Sequence, residues 1–219
     1  MPTLYGVYRS RALRNLWLAR ELGIELEHVP VMQAYRLADP HGAEALLNTA
    51  SPAFLAISPA GAIPVLVDDK LVLSESLATN LSLARKQGGP LAPADASENA
   101  LMEQWALYGA TSIEPSALAI LYTYAEGRST SDDGIAEIVS HVEKLKRPLA
   151  VLESRLQKAS YIVGSRFTVA DINMAEIVRY GQGHAPLIAA FPAVGAWLKS
   201  CQARPAFQAM WARRNAEPA

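Results

Sequence analysis

A serine between two arginines, Arg9-Ser10-Arg11, stands where a short apolar run ends and helical spacing begins, with Tyr5 and Tyr8 just before it. A thiolate held at such a place meets a helix dipole, a hydroxyl and two cations. Together these lower a thiol pKa from roughly 8.5 toward neutrality. The same residues also read as an N-cap serine with two solvated arginines. A second helix start, Ser74-Glu75-Ser76, follows directly on another apolar run. Free N–H groups and the positive end of the dipole favour a carboxylate there, while Glu75 attracts an amine. A ligand carrying both an α-amino and an α-carboxyl group suits the pair; plain capping by Ser74 or Ser76 is the structural alternative. Ile63-Pro64 places a proline at the head of a strand, where it removes a ladder donor. A cis bond there would turn the N–H and C=O of the preceding residue sideways to pair with an extended peptide; a trans proline on an edge strand is the other reading.

Other chemistry-bearing residues carry less. No Gly-x-Ser-x-Gly motif is present, so a serine-hydrolase triad has no basis. Gly181-x-Gly183 lacks the third glycine and the preceding strand of a dinucleotide site. His28, His41, His141 and His184 are scattered without metal-ligand spacing, so no metal is expected. Cys201, among Trp197, Leu198 and Phe207, reads as a small core residue. Trp105, Tyr108, Ser112 and Tyr122 lie along one helical pattern, as core or as the wall of a pocket. Thr168 and Asp171 have the spacing of a capping box, with Phe167 placed as its hydrophobic staple, which is a folding device.

The elements that must position these residues follow from periodicity and punctuation. Residues 4–8 read as a strand, and Leu13, Leu16 and Trp17 mark a helix that stops at Gly23. Residues 25–31 read as a second strand, which completes a βαβ unit. Residues 33–58 are polar and broken by prolines, so an irregular stretch is expected. Residues 63–67 and 71–73 form an antiparallel hairpin across a polar turn. Leu77, Leu81 and Ala84 then supply the stripe of a helix running to Gly88-Gly89. The expected division is a domain over 1–86, a Gly/Pro linker over 87–96 and an all-helical domain over 97–219. The helical domain would hold helices over 97–126, 131–158, 168–181 and 191–213.

Composition bounds what such a chain does. Its 219 residues are 51% hydrophobic and 19% charged, which excludes the disordered class. Twenty Lys and Arg against 21 Asp and Glu leave a net charge of -1, without the basic excess that holds a nucleic-acid backbone. The single cysteine forms no internal disulfide and suits a reducing compartment. No signal peptide and no apolar stretch of about 18 residues is visible, so a cytoplasmic protein that does not span a membrane is expected.

Taken in order, these motifs resemble the soluble glutathione transferase family, in the manner of a bacterial-type member. Ser58-Pro59-Ala60-Gly61-Ala62-Ile63-Pro64-Val65-Leu66 is similar to the family's stretch around its cis-proline, and Leu73-Ser74-Glu75-Ser76-Leu77-Ala78 to its glutamyl-binding turn. Tyr161 to Gly164 with Phe167 to Asp171 resembles its capping box. Phe191-Pro192 with Trp197, and Ala203 to Phe207, resemble its late helices. The resemblance implies a thioredoxin-like α/β N-terminal domain (βαβ-ββα, a mixed four-stranded sheet) followed by an α-helical bundle, with glutathione as co-substrate. By carry-over, Pro64 is cis, Ile63 pairs with the cysteinyl part of glutathione through its backbone, and Glu75 and Ser76 hold the γ-glutamyl amine and carboxylate. Ser10 resembles the activating residue of one set of members and Tyr5 that of another, with Arg11 beside the thiolate. Ser10 is preferred because a helix N-terminus adds its dipole to the hydroxyl. Many members carry Lys or Gln where this chain has Ala62. The implied reaction is attack of the glutathione thiolate on a small apolar electrophile held against the helical domain, in a homodimer, with Trp105, Tyr108 and Ser112 as pocket residues. The alternatives are glutathione-dependent isomerisation or dehalogenation, and a non-catalytic binding module.

Overall fold

A computed structural model describes residues 1–218. The chain divides into two compact units: Met1–Gln87 together with the segment from Pro205 on, and Gly88–Arg204.

In the first unit, β1 (Thr3–Tyr5), α1 (Ala12–Leu22), β2 (Glu27–Val29), the short α2 (Pro52–Leu55), β3 (Val65–Asp68), β4 (Leu71–Ser74) and α3 (Ser76–Gln87) follow in order. The sheet runs β2-β1-β3-β4; β1 pairs parallel with β2 and antiparallel with β3, and β3 pairs antiparallel with β4. This is the expected mixed four-stranded sheet. Leu4 opposes Leu66 and Tyr5 opposes Val65, so strand alternation sends the leucines to one face and the other two to the opposite face. On the latter face Val31, Phe54 and Val65 make a core cluster, with Tyr5 and Ile63 packed against it. Two strands are shorter than their apolar runs. The first ends before Gly6, at φ 149°, and the second before Pro30, which has no N–H for the ladder. Gly23 closes α1 in the left-handed conformation, φ 64°, as a C-terminal glycine should.

The second unit holds α4 (Ala96–Tyr108), α5 (Glu114–Ala125), α6 (Asp132–Leu156), α7 (Val169–Val178), α8 (Ala185–Ala189) and α9 (Pro192–Gln202). The single helix expected over 97–126 is interrupted by a π turn, Gly109–Ile113, and α5 restarts with Pro115 in its first turn. A Cβ on Gly109 would come 2.7 Å from Ile177 Cδ1, so the glycine permits the close approach of α7. The stretch expected as one helix over 191–213 is two, α9 and α10 (Pro205–Ala216), because Pro192 and Pro205 each open a new helix at the one place where a missing N–H costs nothing.

The expected 97–219 domain needs one correction. By packing, α10 belongs to the first unit. It lies on α1, where Phe207 meets the Trp17 ring edge-on at 4.9 Å and both side chains are buried. Once the helix boundary falls at Pro205, this apolar pair decides where the last helix goes.

Candidate functional site

The peptide bond between Ile63 and Pro64 is cis and leads directly into β3. Across from it, Gly6 lets the backbone close up. A Cβ on Gly6 would lie 2.8 Å from Ala12 Cβ, and 3.7 Å from both Ile63 Cβ and Ser10 Oγ. Ile63 and Ser10 therefore flank one point of the chain. His28 Nε2 meets the Gly6 carbonyl at 2.8 Å, a contact that requires the ring N–H there.

Ser10 heads α1. Its Oγ donates to the Val7 carbonyl at 2.7 Å and accepts the Ala12 N–H at 3.1 Å. The N-cap position itself falls on Arg11, which makes no side-chain cap bond, and Arg9 is held by the Glu217 carbonyl, so the reading of an N-cap serine between two solvated arginines is corrected on both counts. The hydroxyl and the head of α1, whose first N–H groups have no partner inside the helix, thus converge at one spot. Rotating the hydroxyl off Val7 gives its proton to an anion placed there. Arg11 is exposed at the same end of the helix. Tyr5 is placed differently: its ring is tilted against Phe54 at 6.3 Å, within the cluster under β3.

At the other helix start, Glu75 adopts φ 67°. A left-handed glutamate is uncommon and persists where surrounding structure enforces it. Its side chain is exposed, whereas Ser76, the first residue of α3, is 3% exposed. The Ser76 hydroxyl accepts from Arg14 Nη1 at 3.0 Å, so it faces inward. What the turn offers a carboxylate directly is the backbone N–H at the start of α3. Beneath it lies a buried polar network that sequence reasoning missed. Asn15 Nδ2 donates its two hydrogens to Thr79 Oγ1 and Asn80 Oδ1, both at 2.6 Å, with the Ser76 carbonyl beside them at 3.2 Å, while Asn80 Nδ2 returns to the Arg14 carbonyl at 3.3 Å. Arg14 and Asn15 inside the apolar run from Leu13 to Ala19 were the available signal. Ala62 is exposed and contributes no polar group.

In the helical unit, Tyr108 meets Trp105 edge-on at 5.6 Å, and its hydroxyl donates to the Pro148 carbonyl at 3.4 Å. Burial pushes the Tyr108 hydroxyl pKa up. Trp105 is 8% exposed and backs Tyr108, whereas Tyr108 and Ser112 are half-buried, Ser112 within the π turn. Such turns recur at functional sites. Among the described residues no cluster of His, Cys, Asp or Glu could hold a metal ion, and no helix is long and apolar enough to cross a membrane.

Comparison with known proteins bears on the fold and the family. Residues 8–86 match the family model "Glutathione S-transferase, N-terminal domain", and residues 113–205 match "Glutathione S-transferase, C-terminal domain". Glutathione S-transferase 3 of Zea mays is 34% identical over 216 residues, covering 94% of this chain and 90% of its own. The crystal structure of glutathione transferase F7 from Populus trichocarpa superposes with a TM-score of 0.81 at 28% identity, covering 98% of this chain and 100% of that one. A glutathione transferase family member from Pseudomonas fluorescens, solved with two glutathione bound, gives 0.77 at 27% identity and covers 95% of this chain and 91% of its own. Two domain models in the right order, and a curated relative matched along nearly its whole length, establish that the chain belongs to the glutathione S-transferase family.

Proposed function

We propose that this member conjugates the glutathione thiolate to a small apolar electrophile, with Ser10 as the residue that meets the sulfur. The observation that carries the assignment is the Ser10 hydroxyl, set beside the first turn of α1 where it accepts the Ala12 N–H, and brought near Ile63 by the close approach that Gly6 permits. Glutathione binds along the first unit, its cysteinyl backbone on Ile63 ahead of Pro64, its amine on Glu75 and its glutamyl carboxylate on the Ser76 turn. Ser10, the α1 dipole and Arg11 favour the thiolate over the thiol. In a displacement, the thiol proton leaves to solvent, the sulfur–carbon bond forms and the leaving group departs with its electron pair. The electrophile is assigned to the helical unit, with Tyr108 and Ser112 as contacts and Trp105 behind them. A homodimer is proposed as the working form; the outer strand β4 carries Leu71 and Val72 about half exposed, at 47% and 51%.

The test is calorimetric titration with glutathione together with turnover across a panel of aryl and alkyl halides. Binding with turnover supports the reading. Binding without turnover on any electrophile would leave a binding module, and no binding at all would remove the site.

A further inference from the structure

The loop from β1 to α1 carries Ser10, and one carboxylate grips it from outside. Glu217 follows the last turn of α10, its own N–H bonded to the Arg213 carbonyl at 3.1 Å. Its Oε1 accepts the Tyr8 N–H at 2.8 Å and its Oε2 accepts the Arg9 N–H at 2.7 Å. Arg9 Nε donates back to the Glu217 carbonyl at 3.0 Å. Two successive backbone N–H groups on the two oxygens of one carboxylate form an anion nest filled from within the chain. These donors lie after the end of β1 and before the start of α1, so neither ladder nor helix satisfies them.

The helix that delivers Glu217 is itself fixed. Phe207 meets Trp17 on α1, Trp211 stacks on Phe207 at 5.5 Å, and the Arg214 guanidinium lies 4.5 Å from the Trp211 ring centroid. Ten residues of α-helical rise carry the chain about 15 Å from Phe207 to the loop. The clamped pair lies between Val7, whose carbonyl holds the Ser10 hydroxyl, and Ser10 itself. Gln33 Nε2 adds one further tie, to the Arg9 carbonyl at 3.2 Å.

We propose that Glu217 is a positioning residue for Ser10: its carboxylate sets the backbone of Tyr8 and Arg9, and through it the place from which the Ser10 hydroxyl meets the glutathione sulfur. The inference rests on the assignment of Ser10 above. Removing a nearby negative charge would by itself lower the thiol pKa, whereas losing a placed hydrogen-bond donor raises it. The direction in which the pKa moves therefore separates the two effects.

The experiment is an ultraviolet titration of enzyme-bound glutathione in the parent, Glu217→Gln, Glu217→Ala, Ser10→Ala and the Ser10→Ala/Glu217→Ala double variant, with kcat and KM against pH. Gln keeps the shape of Glu but turns an NH2 toward one of the two donors. Both Glu217 variants should raise the thiol pKa. Turnover at a fixed pH below it should fall about tenfold when the pKa rises by one, while KM for glutathione changes less than about twofold. The double variant should titrate at or below Ser10→Ala and never above it, since with the hydroxyl gone only the loss of the negative charge remains. An unchanged or lowered pKa in the Glu217 variants overturns the proposal, as does a lower unfolding midpoint with the pKa unmoved. Additive changes in the double variant overturn it too. An unmoved pKa in Ser10→Ala overturns the Ser10 assignment itself, and a raised one there with none in the Glu217 variants overturns only the role of Glu217.

Discussion

The two residues assigned to the glutamyl end of glutathione are neighbours in sequence and differ in what they do. Glu75 is exposed, in a left-handed conformation, and no described helix or strand includes it. Ser76 is buried, with its hydroxyl on Arg14. Glu75→Gln should therefore weaken glutathione binding by about 1.5 to 3 kcal/mol, the worth of a charge-assisted partner, and leave the denaturant midpoint in place. Ser76→Ala should lower the midpoint as well, because it takes an acceptor from a buried guanidinium. Calorimetry and urea unfolding of the two variants check this; equal stability losses in both would contradict the division of roles. The turn was legible from Ser74-Glu75-Ser76. The inward direction of the Ser76 hydroxyl was not, because it depends on Arg14, which reaches Ser76 from another helix.

At the scale of elements, Thr168 and Asp171 open α7 with the capping box that their spacing announced. The structure gives the aspartate more to do than a cap. Its Oδ1 accepts from Ile162 N–H at 3.1 Å and Trp197 Nε1–H at 3.0 Å, and its Oδ2 accepts from Thr168 N–H at 2.9 Å. Thr168→Ala should cost about 1 kcal/mol, as caps do. Asp171→Ala strands several buried donors and should cost about 3 kcal/mol or more, with turnover per folded molecule unchanged in both variants. A second tie carries a pH signature. Arg166 donates to the carbonyls of Pro90 and Ala92 at 2.8 and 2.7 Å and to both Glu98 oxygens at 2.9 and 2.7 Å. Its guanidinium, aided by the Ala94 N–H, holds the Glu98 carboxyl at about 2, below the ordinary 4.5. A depressed carboxyl stabilises the fold fully above its unfolded value and loses that contribution as pH falls through its folded one. Between pH 4.5 and about 2 the parent should lose stability that Glu98→Gln, already weaker at neutral pH, does not lose further. Urea midpoints across that range decide it, and parallel curves would contradict it.

For the whole molecule, the return of α10 to the first unit predicts that Phe207→Ala, which empties a buried site against Trp17, costs about 3 to 5 kcal/mol. The same change should loosen the Ser10 loop through Glu217. Chemical unfolding, with turnover measured on the folded fraction, checks both effects. Much of the architecture was legible in the sequence: the βαβ-ββα order, the Gly88-Gly89 break, Gly23 as a stop and the proline-bounded hairpin all signal locally. What sequence reasoning missed depends on partners far along the chain. The run around Phe207 reads as one helical pattern with its predecessor until Pro205 is weighed as a start. Arg14, Asn15, Thr79 and Asn80 are polar residues whose burial only the pairing of α1 with α3 explains. Glu217 lies beyond the last helical stripe, and nothing local ties it to Tyr8.

In the proposed chemistry the hydroxyl at the head of α1, and not the one in β1, stabilises the glutathione thiolate. Ultraviolet titration of bound glutathione in Ser10→Ala and Tyr5→Phe tests it most directly. Ser10→Ala should raise the thiol pKa only in part, since the dipole and Arg11 remain, and a rise of one in pKa corresponds to about 1.4 kcal/mol. Tyr5→Phe should leave the pKa where it is in the parent. A raised pKa in Tyr5→Phe with none in Ser10→Ala would contradict the account.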